Sequence, residues 1–324
     1  MPVTIPDTMR AVAIDRYGGP SVLSMHSLPV PAPGSNEVLI AVNTAGVGGW
    51  DAHMREERSE SGHDHFPRIL GTDGSGTIVA VGSRVRRLQT GNRVFAYSYD
   101  NPKGGFYAEY VAVPATNAAR VPAGFDLKEA GAATATSLTA LQGVDDALEV
   151  RRGESVLIHG ASGAVGSLAL QFAKARGARV LATASGKDGV SFVRRLGADL
   201  VVDGKRGDIE AVARAFAPDG VDAVLAFVGG TSLTRCLSTL RRGGRVAHPN
   251  GIAPVPRKRR GITITAYDAE AGIREFERLD RAMRQARLRI PIAKTYTLSN
   301  AVQAHRRLAA GHVLGKIVLR VTGA

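Results

Sequence analysis

Residues 156–166 constrain the fold more than any other part of this chain. The stretch begins with Val156, Leu157 and Ile158, a short apolar run typical of a buried strand. Three glycines then recur at every third position up to Gly166, and residues 167–175 carry apolar side chains at helical spacing. A turn without Cβ atoms lets backbone N–H groups approach a phosphate at the start of a helix. The stretch therefore predicts the first half of a nucleotide-binding βαβ unit.

The glycine spacing is G-x-x-G-x-x-G rather than the commoner G-x-G-x-x-G, so the pattern alone is a weak signal. Its context strengthens it, because residues 179–184 form a second apolar run at the distance a βαβ unit needs. The alternative is a glycine-rich turn with no ligand, which is disfavoured because three glycines in one turn cost stability. We expect the whole turn to bind the cofactor: Gly160, Ala161, Ser162, Gly163, Ala164, Val165 and Gly166.

The chain after residue 126 alternates predicted strands with predicted helices. Such an alternation is typical of an α/β Rossmann domain, a parallel doubly wound sheet covered by helices. Two helices, 127–133 and 138–148, are predicted to lead into the glycine turn. We assign residues 126–268 to this domain. The later predicted strands are 199–202, 222–227, 245–248 and 261–267, and the helices between them are 187–196, 208–216 and 232–240.

The first part of the chain shows a different pattern, in which short runs of alternating apolar and polar residues are separated by glycine and proline turns. This pattern predicts an antiparallel, barrel-like β domain. A helix is predicted at 273–286, and a final strand at 316–321 is expected to return to the first domain, which then comprises residues 1–125 and 269–324. The polar segment 54–65 is interpreted as a lid or a mobile surface loop. The predicted early strands are 10–14, 37–43, 76–81, 92–96 and 108–113.

Composition excludes several classes of protein. The 324 residues include a single cysteine, Cys236, which excludes an intrachain disulfide and a four-cysteine zinc site. The N-terminal residues show no basic segment followed by an apolar core, and no apolar run reaches the ~20 residues of a membrane span, so we expect a cytoplasmic protein without a membrane partner. The formal net charge of +13 favours anionic ligands but does not establish a nucleic-acid partner.

A set of motifs, in order along nearly the whole chain, resembles the zinc-independent medium-chain dehydrogenases/reductases of the quinone oxidoreductase type. The resemblance implies a GroES-like β domain, a Rossmann domain, NADPH as cofactor, often a homodimer, and quinones or activated alkenes as substrates. The motifs are GV with a following Asp at 46–51, PRILGTDGSG at 67–76, GNRV at 91–94, LTA at 138–140, HGASGAVG at 159–166, GGRV at 243–246 and GHVLGKIV at 311–318.

The same resemblance bears on metal binding. Zinc-binding relatives carry a cysteine where this chain has Gly48, a His–Glu pair where it has Thr72 and Asp73, and a cysteine near Ala135. The resemblance therefore implies a site without metal. A new site built from the histidines of the polar segment is the alternative, but their spacing fixes no geometry and histidines in such a loop are usually solvated. These histidines are His53, His63 and His65.

Candidate residues for the chemistry follow the GV motif. Trp50 offers an apolar wall for a flat substrate, although packing in the core is an equal alternative. His53 is a candidate donor of a proton or hydrogen bond to a developing oxyanion, against the alternative of a solvated loop histidine. Asp51 is expected to orient the loop through hydrogen bonds rather than act as an acid. Further expected cofactor contacts, most of them at family positions near the nicotinamide, are Thr139, Phe227, His248, Asn250 and Gly251.

The end of the second predicted strand indicates a preference for NADPH over NADH. An NAD-specific site usually has Asp or Glu there to bind the ribose 2′-OH, whereas this chain has Ala184. Ser185 and Lys187 follow and offer a hydroxyl and a cation to a 2′-phosphate. Alternatively, Ser185 caps the next helix and Lys187 is an exposed residue of its first turn. Asp188 is the nearest carboxylate in sequence, and we expect it to point to solvent.

The sequence is also compatible with two alternative functions, and it predicts one mode of assembly. An enoyl or enone reductase would share the cofactor and differ in the acceptor. A polyanion- or RNA-binding protein on a dehydrogenase fold would use the basic run 257–260, but no aromatic residues interleave there for base stacking, which favours a solvated face. The apolar strand 261–267 is expected at one edge of the Rossmann sheet, where an isologous contact would form a homodimer.

Overall fold

The computed structural model describes residues 4–57 and 65–321 and divides the chain into two compact units. The first unit comprises Met1–Ala135, Ala271–Glu277 and Ile292–Ala324, and the second comprises Thr136–Glu270 and Arg278–Pro291. The sequence placed the boundaries at 125/126 and 268/269. The structure differs by assigning residues 126–135 to the first unit and residues 269–270 and 278–291 to the second.

Strands and helices are numbered here in chain order. The strands are β1 (Thr8–Ile14), β2 (Leu23–Pro29), β3 (Glu37–Val47), β4 (Arg68–Ile69), β5 (Asp73–Val81), β6 (Arg93–Tyr97), β7 (Tyr110–Pro114), β8 (Ala118–Arg120), β9 (Ser155–His159), β10 (Arg179–Ala184), β11 (Leu200–Asp203), β12 (Val221–Ala226), β13 (Leu240–Pro249), β14 (Thr263–Tyr267), β15 (Ile292–Thr297) and β16 (Lys316–Arg320). The helices are α1 (Gly49–Glu56), α2 (Leu127–Gln142), α3 (Ala164–Ala175), α4 (Gly186–Arg195), α5 (Ile209–Phe216), α6 (Thr231–Leu237), α7 (Ile273–Ala286) and α8 (Ala301–Ala309).

The first unit is built on mainly antiparallel sheets, as predicted. A seven-stranded sheet has the order β15-β16-β3-β5-β6-β8, with β7 also paired to β3, and a three-stranded sheet has the order β2-β1-β4. The central strand β3 is long because its C-terminal half, which continues past the predicted end at residue 43, pairs with β16. This pairing confirms that the final strand returns to the first unit. The β15–β16 pair, by contrast, is parallel.

The second unit contains a six-stranded parallel sheet in the order β11-β10-β9-β12-β13-β14. The predicted doubly wound sheet is confirmed, and β14 lies at its edge as expected. The strands are apolar and buried because helices cover both faces of such a sheet. In β9, for example, Val156, Leu157 and Ile158 are fully buried. Residues 252–260, between β13 and β14, form a loop where a crossover helix would otherwise connect two parallel strands.

Two local predictions were wrong, and several short elements were not predicted. The helices predicted at 127–133 and 138–148 are one helix, α2, followed by a π-helical turn over Gly143–Ala147, because no residue between them breaks the hydrogen-bonded ladder. Residues Met54 to Glu56 of the predicted polar loop belong to α1, and Met54 is buried; residues 58–64 of that loop lie outside the described part of the chain. The elements that were not predicted include helix α8 and strands β2, β4, β8 and β15. In the ranges that the structure describes, no helix is both long and apolar enough to cross a membrane.

Candidate active and cofactor sites

The three glycines of the turn between β9 and α3 are glycines for different reasons. Gly160 has φ +83°, a left-handed conformation that a side chain disfavours. At Gly166 an added Cβ would lie 2.3 Å from the carbonyl oxygen of Gly160, so packing excludes it. Gly163 has ordinary dihedral angles (φ −77°, ψ 176°), and its Cβ would meet only the Gly160 oxygen, at 3.5 Å. Packing within the chain therefore explains two of the glycines but leaves the space beside Gly163 open.

That open space lies at the N-cap position of α3. The first N–H groups of a helix have no partner within the helix, so they can bind an anion there. A pyrophosphate approaching the turn would use the room that a side chain at Gly163 would fill. The turn therefore has room for the pyrophosphate of a dinucleotide, which is the role that the sequence analysis expects of it.

A buried hydrogen-bond network that the sequence did not reveal fixes this turn. Thr183 of β10 accepts the N–H of Gly160 on its Oγ1 (3.1 Å) and that of Ala161 on its carbonyl oxygen (3.0 Å). The same hydroxyl lies 2.7 Å from Nδ1 of His159, and Nε2 of His159 lies 3.1 Å from the Oγ of Ser232. Thr183 and Ser232 therefore contact the two ring nitrogens of His159, and the Sγ of Cys236 lies 3.5 Å from Nδ1.

This network contains a neutral histidine. Burial lowers the pKa of His159 to about 4, because the charged imidazolium would lose its hydration in the interior. The sequence signal for this network was the position of His159 and Thr183 near the carboxyl ends of two neighbouring strands, β9 and β10. The carboxyl ends of parallel strands meet at one edge of the sheet.

The residues expected at the 2′-phosphate surround the start of α4. Ser185 is the N-cap residue but makes no side-chain capping bond, and Lys187 is exposed in the first turn. Asp188 is exposed, as expected, and accepts the N–H of Gly189. The sequence missed Asp203 at the end of β11, whose Oδ2 accepts the Gly186 N–H at 3.1 Å.

Asp203 is a fixed negative charge beside this helix start. Its pKa lies below the ordinary range because the N–H groups of Lys205, Arg206 and Gly186 all donate to it. A phosphate at Ser185 and Lys187 would therefore lie near the Asp203 carboxylate as well as near the Lys187 ammonium.

Most of the residues expected near the nicotinamide lie at the carboxyl ends of β12 and β13, whereas Thr139 lies on α2. The carbonyl oxygen of Thr139 accepts the hydroxyl of Tyr267 (3.0 Å), and Asn250 donates from Nδ2 to Asp268 (2.7 Å). His248 is buried, with Nδ1 3.1 Å from the Pro249 carbonyl oxygen. Ligands of such sheets bind at this edge. The two remaining predicted residues are Phe227, whose N–H donates to the His159 oxygen, and Gly251, with φ +86°.

In the first unit, Asp51 is fully buried and joins two segments of backbone. Its Oδ2 accepts the Gly48 N–H (2.7 Å), which caps α1, and its Oδ1 accepts the Thr72 N–H (3.0 Å). Burial raises the pKa of Asp51 to about 6, against the opposing effect of the Lys316 ammonium. These contacts match the orienting role expected for Asp51.

A chain of buried polar groups, which the sequence did not indicate, continues from Asp51. The Tyr107 side chain hydrogen-bonds to Asp51, and its oxygen lies 3.0 Å from Nε2 of His305. Arg55 donates to Nδ1 of His305 at 2.6 Å, so the imidazole is neutral and carries its proton on Nε2. Burial, followed by the Arg55 charge, lowers the pKa of His305 to about 3.

The positions at which zinc-binding relatives have ligands carry no cysteine or histidine here: they are Gly48, Thr72, Asp73 and Ala135. Gly48 has no side chain, and Ala135 contributes only a backbone N–H, which donates to Asp73 Oδ2 at 3.1 Å. The ammonium of Lys316 lies between these positions, 3.4 Å from Asp73 Oδ1, and it is a cation rather than a metal ligand. Within residues 4–57 and 65–321, no three His, Cys, Asp or Glu side chains are grouped to hold a metal. His63 lies outside those residues.

Three aromatic rings cluster on the surface of the first unit. Trp50 is half-buried and meets Tyr99 and His53 edge to face, with ring centroids 5.8 and 6.2 Å apart. The His53 side chain is 47% exposed, and its Nδ1 lies 3.7 Å from a carboxylate oxygen of Glu57. The structure thus brings together two of the predicted residues and adds Tyr99, which the sequence analysis missed.

Comparison with known proteins agrees with both folds. Residues 34–123 match the family described as alcohol dehydrogenase GroES-like domain, and residues 196–319 match the family described as zinc-binding dehydrogenase. The quinone oxidoreductase of Lama guanicoe is 32% identical over 324 residues, which cover 96% of this chain and 97% of that protein. The chain belongs to the quinone oxidoreductase family of medium-chain dehydrogenases/reductases. The resemblance noted in its motifs and the predicted pair of folds are confirmed.

Other members of this wider group support an oxidoreductase. The structure of the quinone oxidoreductase from Coxiella burnetii has a TM-score of 0.88 and 30% identity, covering 97% of this chain and all of that one. The NADPH-dependent alkenal/one oxidoreductase of Arabidopsis thaliana is 29% identical and covers 98% of this chain and 80% of that protein.

Proposed function

We propose that this protein is an NADPH-dependent reductase of quinones or similar electron-poor acceptors. The observation that carries the proposal is the open space beside Gly163 at the start of α3, in a chain whose full-length relatives are quinone oxidoreductases. The bound cofactor would supply a hydride from C4 of its nicotinamide. The acceptor would take up this hydride and a proton from solvent, so that a quinone becomes a hydroquinone and NADPH becomes NADP⁺.

The second unit would hold the cofactor through named groups. The turn 160–166 and the first N–H groups of α3 would bind the pyrophosphate. Ser185 and Lys187 would bind the 2′-phosphate, supported by the absence of a carboxylate at Ala184. Thr139 and His248, with the other residues named above, would lie near the nicotinamide.

The first unit would hold the acceptor. Trp50 offers a flat apolar face to a planar ring, and His53 is exposed and can donate a hydrogen bond to an oxygen of the acceptor. Asp51 would act by fixing the loop that carries both residues, since its oxygens accept backbone N–H groups.

We propose that the reaction needs no zinc. The support is the set of side chains at the positions described above. Gly48 and Ala135 offer no soft ligand, and the Asp73 carboxylate already contacts the Lys316 ammonium and the Ala135 N–H. The enzyme would therefore bind its acceptor through hydrogen bonds and apolar contact.

An acceptor panel tests the function. Purified protein should oxidise NADPH in the presence of simple quinones, and its rate should be unchanged after incubation with EDTA. Activity that falls on chelation and returns with zinc would contradict the metal-free proposal. Activity confined to open-chain enones would favour the second candidate, an enone reductase, which the Arabidopsis relative supports. RNA binding that persists at high salt, with no NADPH oxidation, would instead favour a polyanion-binding protein.

A further inference from the structure

A small polar niche lies beside Gly48 in the first unit. The point where a Cβ of residue 48 would be is 3.4 Å from Nζ of Lys316 and 3.7 Å from Oδ2 of Asp51. Apart from the neighbouring residues of the chain, no other heavy atom of the described residues lies within 4 Å of that point. Gly48 is partly exposed, whereas Lys316 is 5% exposed and Asp51 is fully buried. The absent side chain therefore leaves room beside a buried ammonium, at a residue that is itself partly exposed.

Lys316 keeps hydrogen-bonding capacity for a ligand. An ammonium has three N–H donors, and among the described residues its hydrogen bond is a long one, 3.4 Å to Oδ1 of Asp73. Asp73 and the nearby Asp51 carboxylate already compensate the charge of this buried ammonium, so an oxygen that enters the niche would add a hydrogen bond to an N–H that the long Asp73 contact leaves weakly used.

The chain is shaped to hold the ammonium in this place. A Cβ at Gly46 would lie 2.8 Å from Cε of Lys316 and 2.3 Å from Oδ1 of Asp73, so that glycine is required for the lysine and carboxylate to pack there. Asp73 in turn is held by the N–H of Ala135. The ammonium is thus fixed from one side and faces the niche on the other.

We propose that this niche binds a carbonyl oxygen of the acceptor, and that Lys316 donates a hydrogen bond to the negative charge that develops on this oxygen. The inference rests on the proposed function and narrows its substrate class to conjugated carbonyl compounds. When the hydride and its two electrons reach the ring or the alkene carbon, the π electrons of the conjugated system move to the carbonyl oxygen. The ammonium stabilises that oxyanion, and the proton that completes the product comes from solvent. A preorganised donor of this kind acts in the transition state more than in the ground state.

The decisive variant is Gly48→Ala, which places a methyl group in the niche and leaves Lys316 in place. Gly48 has extended backbone angles (φ −138°, ψ 175°), and 3.4 Å is an acceptable contact, so the fold is retained. Gly49→Ala is the matched control, because nothing lies within 4 Å of its Cβ. We expect kcat/KM for a quinone to fall about 100-fold in Gly48→Ala, the usual cost of losing one oxyanion donor, and to change less than about twofold in the control. The Kd for NADPH should be the same in both variants.

A binding measurement separates this inference from the proposed function. Trp50 is the sole tryptophan and lies two residues from Gly48, so its fluorescence reports occupancy without any cofactor. Pentafluorophenol, ionised at the assay pH, mimics the oxyanion, and pentafluorobenzene is its neutral counterpart. Wild type and Gly49→Ala should prefer the phenolate by roughly tenfold or more, and Gly48→Ala should lose the preference. The variant Lys316→Met should lose it too while still binding pentafluorobenzene.

Each result is informative. An active wild type whose two glycine variants have equal kcat/KM would overturn the niche and leave the quinone reductase proposal standing. If the wild type failed to oxidise NADPH with every acceptor tested, the proposed function would be overturned. The phenolate preference would then still test the niche. Equal binding of phenolate and pentafluorobenzene by the wild type would refute the inference directly.

Discussion

Gly163→Val is the most discriminating change in the glycine turn. Of the three glycines, Gly163 has no conformational or packing reason for lacking a side chain, since its φ is −77° and its Cβ would have a neighbour at 3.5 Å. A valine there should therefore fold, but its branched side chain would fill the space assigned to the pyrophosphate. Gly166→Val is the comparison, because its Cβ would lie 2.3 Å from a carbonyl oxygen whether or not a ligand is bound.

The two variants should change different quantities: Gly163→Val should remove the stabilisation by NADPH, and Gly166→Val should lower the stability of the protein without ligand. Valine is a poorer N-cap residue than glycine, by about 1 kcal/mol, so Gly163→Val should lower Tm by roughly 2–4 °C for a unit of this size. NADPH at 100 times its Kd stabilises the folded protein by about 2.7 kcal/mol, which corresponds to a rise in Tm of roughly 5–10 °C. We expect wild type to show this rise and Gly163→Val to lose it. Gly166→Val should lower the free energy of unfolding by about 1–3 kcal/mol or more even without ligand, because the added side chain overpacks the turn.

Thermal unfolding with and without NADPH, together with a titration of NADPH fluorescence, measures both effects. A folded Gly163→Val variant that keeps the full rise in Tm and the wild-type Kd would show that the pyrophosphate does not lie at this turn. If Gly166→Val were as stable as wild type, the packing argument that separates the two glycines would be wrong.

Three further outcomes are expected. Lys187→Ala should weaken NADPH binding by about 10- to 150-fold, the loss of one charge-assisted contact, with little change for NADH; equal losses for both cofactors would mean that Lys187 does not contact the 2′-phosphate. The pKa of His159 is about 4 in the folded state and about 6.5 in the unfolded chain, so its contribution to the free energy of unfolding is fully present above pH 6.5. This contribution falls by up to about 3 kcal/mol as the pH drops toward 4. His159→Gln should flatten the pH dependence of the free energy of unfolding, and an unchanged slope would assign that dependence to another group. If β14, an edge strand of the parallel sheet, pairs with a second copy, light scattering should give about twice the 34.0 kDa chain mass, and a 34.0 kDa species at micromolar concentration would exclude the dimer.

Local patterns in the sequence were sufficient to predict most of the architecture. The apolar runs and helical spacings between residues 156 and 267 predict the parallel sheet, because each strand buried on both faces is continuously apolar over a few residues. The range 179–184 is the observed extent of β10, and strand 261–267 lies at the predicted edge. The predictions failed where an element carries no distinct signal, as at β2, which has no fully apolar face.

By itself the sequence determined the class of both folds, the glycine turn that is the candidate phosphate site, and the absence of soft ligands at Gly48 and Ala135. Only the tertiary structure showed which polar groups meet. Lys316 joins Asp73 across 243 residues because β16 pairs with β3, and β3 pairs with β5. Local periodicity specifies which face of a strand is buried, but it does not specify which distant strand lies beside it. The partners of a buried charge are set by that pairing, so the niche at Gly48 could be found only in the folded chain.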